Sequence, residues 1–154
     1  AAIAAPALPK MSDFLPQNLA NTSWSFAKLE CDFVPLFTAT SAAAISRIGE
    51  LDAQGLANLS WSDAKITFSN GLLIQSISSN ALQRLRHAAP QNLSNIAWSF
   101  SKLLVSHLTL MYAISSQARR TIQAFPAQEL TNLAWAFATL NLRDEPLLAA
   151  ISAE

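Results

Sequence analysis

A single thirteen-residue block is written four times in this chain, and its tryptophans, Trp24, Trp61, Trp98 and Trp135, each stand 37 residues from the next. The copies run Gln17–Leu29, Gln54–Ile66, Gln91–Leu103 and Gln128–Leu140 without a gap. Between them a looser apolar pattern keeps the same period. Leu36, Leu73, Leu110 and Leu147 correspond, as do Phe37, Ile74, Met111 and Leu148, and then Thr40, Ile77, Ile114 and Ile151. Fixed-interval self-similarity of this kind belongs to chains built from one supersecondary unit stacked on itself. Such an array offers an extended surface and seldom one catalytic pocket.

Within the block the apolar positions, such as 19, 22 or 23, 26 and 29, follow the i, i+3/i+4, i+7 spacing of an amphipathic helix. First helices are expected near 16–29, 53–66, 90–103 and 127–140, with Pro16 and Pro90 in first-turn positions. Breaks at Cys31-Asp32, Ser69-Asn70-Gly71, Ser106-His107 and Arg143-Asp144 precede second helices near 34–48, 71–87, 108–124 and 145–153. Short connections make neighbouring helices antiparallel. The expected fold is all-α, a right-handed α-solenoid of about four hairpins in a single domain spanning 1–154. Its repeats are 16–52, 53–89, 90–126 and a truncated 127–154. Residues 1–15 form a lead-in whose Ile3, Leu8 and Met11 keep the register of a second helix, although Pro6 and Pro9 would break one. The opening Ala-Ala-Ile and the end partway through a second helix read as a processed protein or a piece of a longer one.

Only three glycines and an alanine-, leucine- and serine-rich composition suit packed helices. The lone Cys31 cannot staple the chain, which points to a reducing compartment. No apolar run reaches the ~20 residues of a membrane span. His87 and His107 have no second ligand at metal spacing. Glycine-rich phosphate loops, nucleophile elbows and recurrent carboxylate pairs are absent as well, so no enzyme and no cofactor is expected.

Three features bear on function. Asn21, Ser25 and Lys28 are spaced as one helical stripe, repeated as Asn58/Ser62/Lys65 and Asn95/Ser99/Lys102 and degraded to Asn132/Ala136/Thr139. Stacking would turn this stripe into a ladder along which a polyanion could lie. The same asparagines could instead hold repeats in register, and the lysines could be merely solvated. Trp24 is assigned to a different face, shared with Ala20 and Ala27, and all four tryptophans are read as mortar between repeats. Periodicity alone does not separate that role from a stacking platform. A buried ring would be worth roughly 3–5 kcal/mol on truncation to alanine.

Charge is the third feature. Net charge is zero, yet no acidic residue lies between Asp63 and Glu129, a stretch that holds Lys65, Arg84, Arg86, Lys102, Arg119 and Arg120. That asymmetry hints at a nucleic-acid partner, although the arginines also complement the ends of second helices. Asp63 replaces Phe26, Phe100 and Phe137 of the other copies. A lone carboxylate in an apolar position is costly. Either this repeat is opened and hydrated or Asp63 meets an arginine of a second helix, and Asp63→Phe is expected to stabilise the domain.

The motif Pro-Gln-Asn-Leu-Ala-Asn-x-x-Trp-Ser-Phe-Ala-Lys-Leu, repeated over nearly the whole chain, resembles the octotricopeptide repeat family. Those helical-hairpin repeats are related to the ones preceding RAP domains in FAST-kinase-like proteins. The resemblance implies an α-solenoid that binds single-stranded organellar RNA in transcript maturation, stability or translation. It places the chain in a chloroplast or mitochondrion after removal of a transit peptide. The competing expectation is a structural subunit that binds protein within a large organellar ribonucleoprotein, photosynthetic or respiratory assembly, peripheral to any membrane. On the first expectation Asn21, Ser25, Lys28 and their copies contact RNA, while Arg84, Arg86, Arg119 and Arg120 hold phosphates.

Overall fold

A computed structural model describes residues 8–154, and among these there is no strand. Eight α-helices follow one another: α1 (Pro16–Lys28), α2 (Val34–Ser46), α3 (Ala53–Lys65), α4 (Gly71–Arg84), α5 (Pro90–Lys102), α6 (Leu108–Arg120), α7 (Ala127–Thr139) and α8 (Glu145–Ser152). The odd-numbered helices carry the tryptophan block. Each packs along the next odd-numbered one, and these are the most extensive helix–helix contacts in the molecule. The even-numbered helices also touch in order, α2 on α4, α4 on α6 and α6 on α8, but less closely. Two layers result, with the apolar core between them.

The core is periodic because the sequence is. Leu36, Leu73, Leu110 and Leu147 are all fully buried, as are Leu19, Leu56 and Leu93 of the other layer, while their fourth equivalent, Leu130, is half-buried. Removing one such leucine side chain would cost about 2–5 kcal/mol. Ser23 and Thr40, polar exceptions in the first hairpin, are joined across the layers by a hydrogen bond of 3.0 Å.

The hairpin turns follow one design. After each block helix the chain makes a Schellman closure, with Cys31, Phe68, Val105 and Leu142 N–H donating to the carbonyls of Phe26, Asp63, Phe100 and Phe137 at 2.8–2.9 Å. This needs a left-handed residue, found at Glu30, Thr67, Leu104 and Asn141 with φ of 54–56°. Only Asn141 is suited to that backbone; glycine, the usual choice, is missing. In three of the four turns the next helix is then capped by a side-chain acceptor, whereas Phe33 ahead of α2 offers none. Asn70, His107 Nδ1 and Asp144 accept from the N–H of Leu73, Leu110 and Leu147.

The second helices end earlier than the apolar pattern predicts. Arg47 and Thr121 leave helical geometry at φ near −129° and −125°, and 3-10 turns follow at Ile48–Glu50, Leu85–His87 and Ile122–Ala124. The lead-in does likewise: Leu8–Asp13 is a 3-10 helix with Met11 buried at the position of Ile48. Ile3, and with it the first part of the expected lead-in, lies outside the described residues.

Asp63 contradicts both sequence expectations. It is 1% exposed, it meets no arginine, and its Oδ2 has no hydrogen-bond partner. Burial pushes its carboxyl from 3.8 up to about 8.

Candidate functional site

Residues four, seven and eleven positions along a helix lie within about 40° of the starting residue. Gln54, Asn58, Trp61 and Lys65 therefore share one face of α3, and the block repeats that face on α1 and α5, and on α7 with Thr139 in place of the lysine. The structure joins these faces. A hollow of about 330 Å³ crosses α1, α3 and α5, lined by Asn21, Trp24, Gln54, Asn58, Gln91 and Asn95 among others. Asn58 Nδ2 donates to Asn21 Oδ1 at 3.3 Å.

The tryptophans belong to this face, which corrects their assignment to a separate one. Their ring centroids are 6.2, 6.4 and 6.3 Å apart from Trp24 to Trp135, with planes inclined by 30–37°. That spacing lies within the range for favourable aromatic pairs. The rings bridge adjacent helices, but they are not sealed in: Trp24 is 38% and Trp135 43% exposed. Ala20 and Ala27, their small neighbours in sequence, are the residues that are fully buried.

The serine row turns the other way. Eight positions from the glutamine, it lies about 80° off the exposed face. Ser62 and Ser99 are fully buried, and each hydroxyl donates to the carbonyl four residues back, Asn58 or Asn95, at 2.5 and 2.6 Å. Ser25 makes the same bond at 2.8 Å but is exposed. Among the three serines, only Ser25 is therefore open to a ligand. In its place the structure contributes a row that sequence reasoning passed over: Gln17, Gln54, Gln91 and Gln128, all exposed. The signal was present as the first letter of every block.

The charged residues do not gather on this face as one set. Lys28, Lys65 and Lys102 end the odd-numbered helices. Lys65 Nζ pairs with Glu30 at 3.0 Å on the surface, an arrangement worth little in water. Arg84, Arg86, Arg119 and Arg120 end the even-numbered helices or follow them, on the opposite edge, a helix length of about 18 Å away. Arg84 is engaged internally, donating to the carbonyls of Asn80 at 3.0 Å and Gly49 at 2.5 Å. Asp52 sits on this edge beside Arg84 and His87. Burial works against its charge, but hydrogen bonds from Gly55 N–H and Gln17 hold its carboxyl below the ordinary value.

Amide side chains each carry a donor and an acceptor, and indoles offer flat apolar faces. Rows of both suit a ligand that presents rings edged with hydrogen-bonding groups. A family model described as RNA-editing substrate-binding complex 6 protein (RESC6) matches residues 2–145. The chain belongs to this family. No curated protein matches it. The family's description is RNA-associated, and it accords with an all-helical protein whose exposed rows are amide and indole. Among the described residues no helix is long and apolar enough to cross a membrane, and no group of histidine, cysteine, aspartate and glutamate side chains could hold a metal ion.

Proposed function

We propose that this chain is a non-enzymatic RNA-binding subunit of a complex that handles RNA-editing substrates. It would act in a mitochondrion or chloroplast, with its odd-numbered helices forming the RNA-facing layer of a right-handed, octotricopeptide-like α-solenoid. The observation that carries the proposal is the hollow lined by Asn21, Trp24, Gln54, Asn58, Gln91 and Asn95. Indoles stack on any base with a contribution of about 1–3 kcal/mol each, and the amides discriminate among base edges. Lys65 and Lys102 add salt-sensitive attraction at the end of each row. Helical repeats of this kind read about one base per unit. Four units address a short segment only, so the chain works beside other RNA-holding subunits.

Filter binding of unstructured oligoribonucleotides across a salt series tests this. Asn58→Ala with Asn95→Ala should weaken binding at every salt concentration, whereas Lys65→Gln with Lys102→Gln should flatten the salt slope. Indifference to both pairs would remove the proposal.

A second reading has an observation of its own. Val34, Leu72, Leu108 and Tyr112, in the first two turns of even-numbered helices, are 46–69% exposed. Apolar side chains presented to water by one layer suit a protein neighbour, so the even-numbered layer would seat the chain in its assembly. Copurification with a multi-subunit particle that survives nuclease treatment, and is lost in Leu72→Lys/Leu108→Lys, would support it.

A further inference from the structure

Each pair of neighbouring block helices is packed in the same way, and the two outermost block helices each present one half of that packing to water. Ala57 and Ala64 of α3, and Ser94 and Ser101 of α5, are fully buried. Their equivalents on α7, Thr131 and Ala138, are exposed. Two residues away in each block, about 160° round the helix, the pattern reverses. Leu59, Ile96 and Leu133 are buried at one such position, and Ser62, Ser99 and Ala136 at the other. Here α1 is the exception, with Thr22 half-buried and Ser25 exposed.

The burial that α7 lacks is therefore the complement of the burial that α1 lacks. On α7 the open side carries Ala134 and Ala138, small enough for a close helix, with the exposed ring of Trp135 between them. On α1 it carries Thr22, Ser25 and the half-buried Phe26, whose equivalents Phe100 and Phe137 are sealed. The second layer agrees: Leu148 of α8 is 41% exposed where Phe37, Ile74 and Met111 are buried. None of these open positions is charged, whereas a repeat that closes a stack turns a polar face outward.

We propose that copies of this chain stack head to tail, α7 and α8 of one copy seated on α1 and α2 of the next. The interface between α5 and α7 is the template, because the same block supplies both of its sides. In such a stack Trp24 of the second copy follows Trp135 at the 6.2–6.4 Å spacing of the internal pairs, and the amide row continues beside it. The stack stands on packing alone; only its use, a longer face for RNA, rests on the function proposed above.

Thirteen-residue helices are about 20 Å long, and two layers of them are about 20 Å deep, so each face covers on the order of 400 Å². The pair buries about 800 Å², less than the roughly 1,200 Å² of a stable complex. The contact is accordingly weaker than about micromolar. A head-to-tail contact also leaves one face open at each end, so growth continues past the dimer.

Sedimentation velocity of the intact chain without RNA, from about 10 μM to 1 mM to suit so small an interface, tests the proposal. Wild type should pass from monomer to species larger than a dimer. Ala138→Glu and Thr22→Glu, one on each face, should each remain monomeric. Mixed in equal amounts they should form a dimer and stop, because each keeps the face the other has lost. Both positions are open enough to take glutamate, and circular-dichroism melts check that the variants fold. A wild type that stays monomeric, a wild-type assembly that ends at the dimer, or a mixture that yields anything but a dimer would overturn the proposal. A stack that forms while the chain binds no oligoribonucleotide would remove the RNA reading and leave the stack standing.

Discussion

Asp63 should make the stability of this protein fall as pH rises, over a range where most proteins change little. Its carboxyl titrates near 8 when folded against 3.8 ordinarily. Below about pH 4 it is protonated in both states, so stability is fully present. Between about pH 4 and 8 the folded chain keeps a proton that the unfolded chain has released, and each pH unit costs about 1.4 kcal/mol. Above about pH 8 the loss is complete. Roughly four units make about 5–6 kcal/mol, an upper value because a little water reaching Oδ2 would reduce it. Even half of that is a large share of a stability of about 5–15 kcal/mol.

The assay is denaturant unfolding of wild type and Asp63→Leu at about pH 5 and pH 9. Leucine is preferable to phenylalanine here. Phe68 stands where the other repeats have Cys31, Val105 and Leu142, so this repeat already holds an extra ring. Phe68 also packs on Phe37, with centroids 6.3 Å apart. The Asp63→Leu variant should be the more stable at both pH values, with a margin that widens by several kcal/mol at the higher one. An equal margin at both would refute the reasoning, because it would mean that the carboxylate is solvated or compensated when the protein is folded.

Other consequences follow from the same geometry. Leu104→Asn should stabilise by about 1 kcal/mol in thermal melts, since leucine is held in left-handed backbone and is 73% exposed there. No gain would mean that Leu104 is strain-free or packed. Trp98→Ala, which removes a ring with neighbours on both sides, should cost about 2–3 kcal/mol, against about 1 for Trp24→Ala or Trp135→Ala at the ends of the row. Equal costs would show that the indoles act singly. Arg84→Gln should destabilise by about 1–2 kcal/mol through the bonds lost to Asn80 and Gly49, measurable by urea unfolding. A neutral result would assign Arg84 to the surface.

The legible part of this molecule was the part that period alone determines. Thirteen-residue first helices, the buried leucine rows and the equivalence of the four indoles all follow from one spacing. What failed was orientation. Trp24 is flanked by small residues that do face the core, and the pattern of small neighbours drew the ring in with them; only packing against α3 shows that it leans out beside Asn21. Ser62 and Ser99 appeared to extend a polar stripe, but a hydroxyl can bond its own helix and be buried at little cost. The turns hid themselves because Glu30, Thr67 and Leu104 carry left-handed backbone without a glycine to announce it. The arginines were grouped with the lysines because they share an acid-free stretch of sequence, whereas an antiparallel hairpin sends the ends of its two helices to opposite edges.

Equivalent amides and indoles of successive helices form one shared surface, which we propose receives RNA, and indole emission reports on that surface directly. Titration with an unstructured oligoribonucleotide at low salt should quench the tryptophan fluorescence saturably. Asn58→Ala/Asn95→Ala should weaken the apparent affinity at least roughly tenfold, as loss of base-edge contacts worth about 1–3 kcal/mol each requires. RNA that binds without altering the emission, and with an affinity unmoved by those substitutions, would contradict the account.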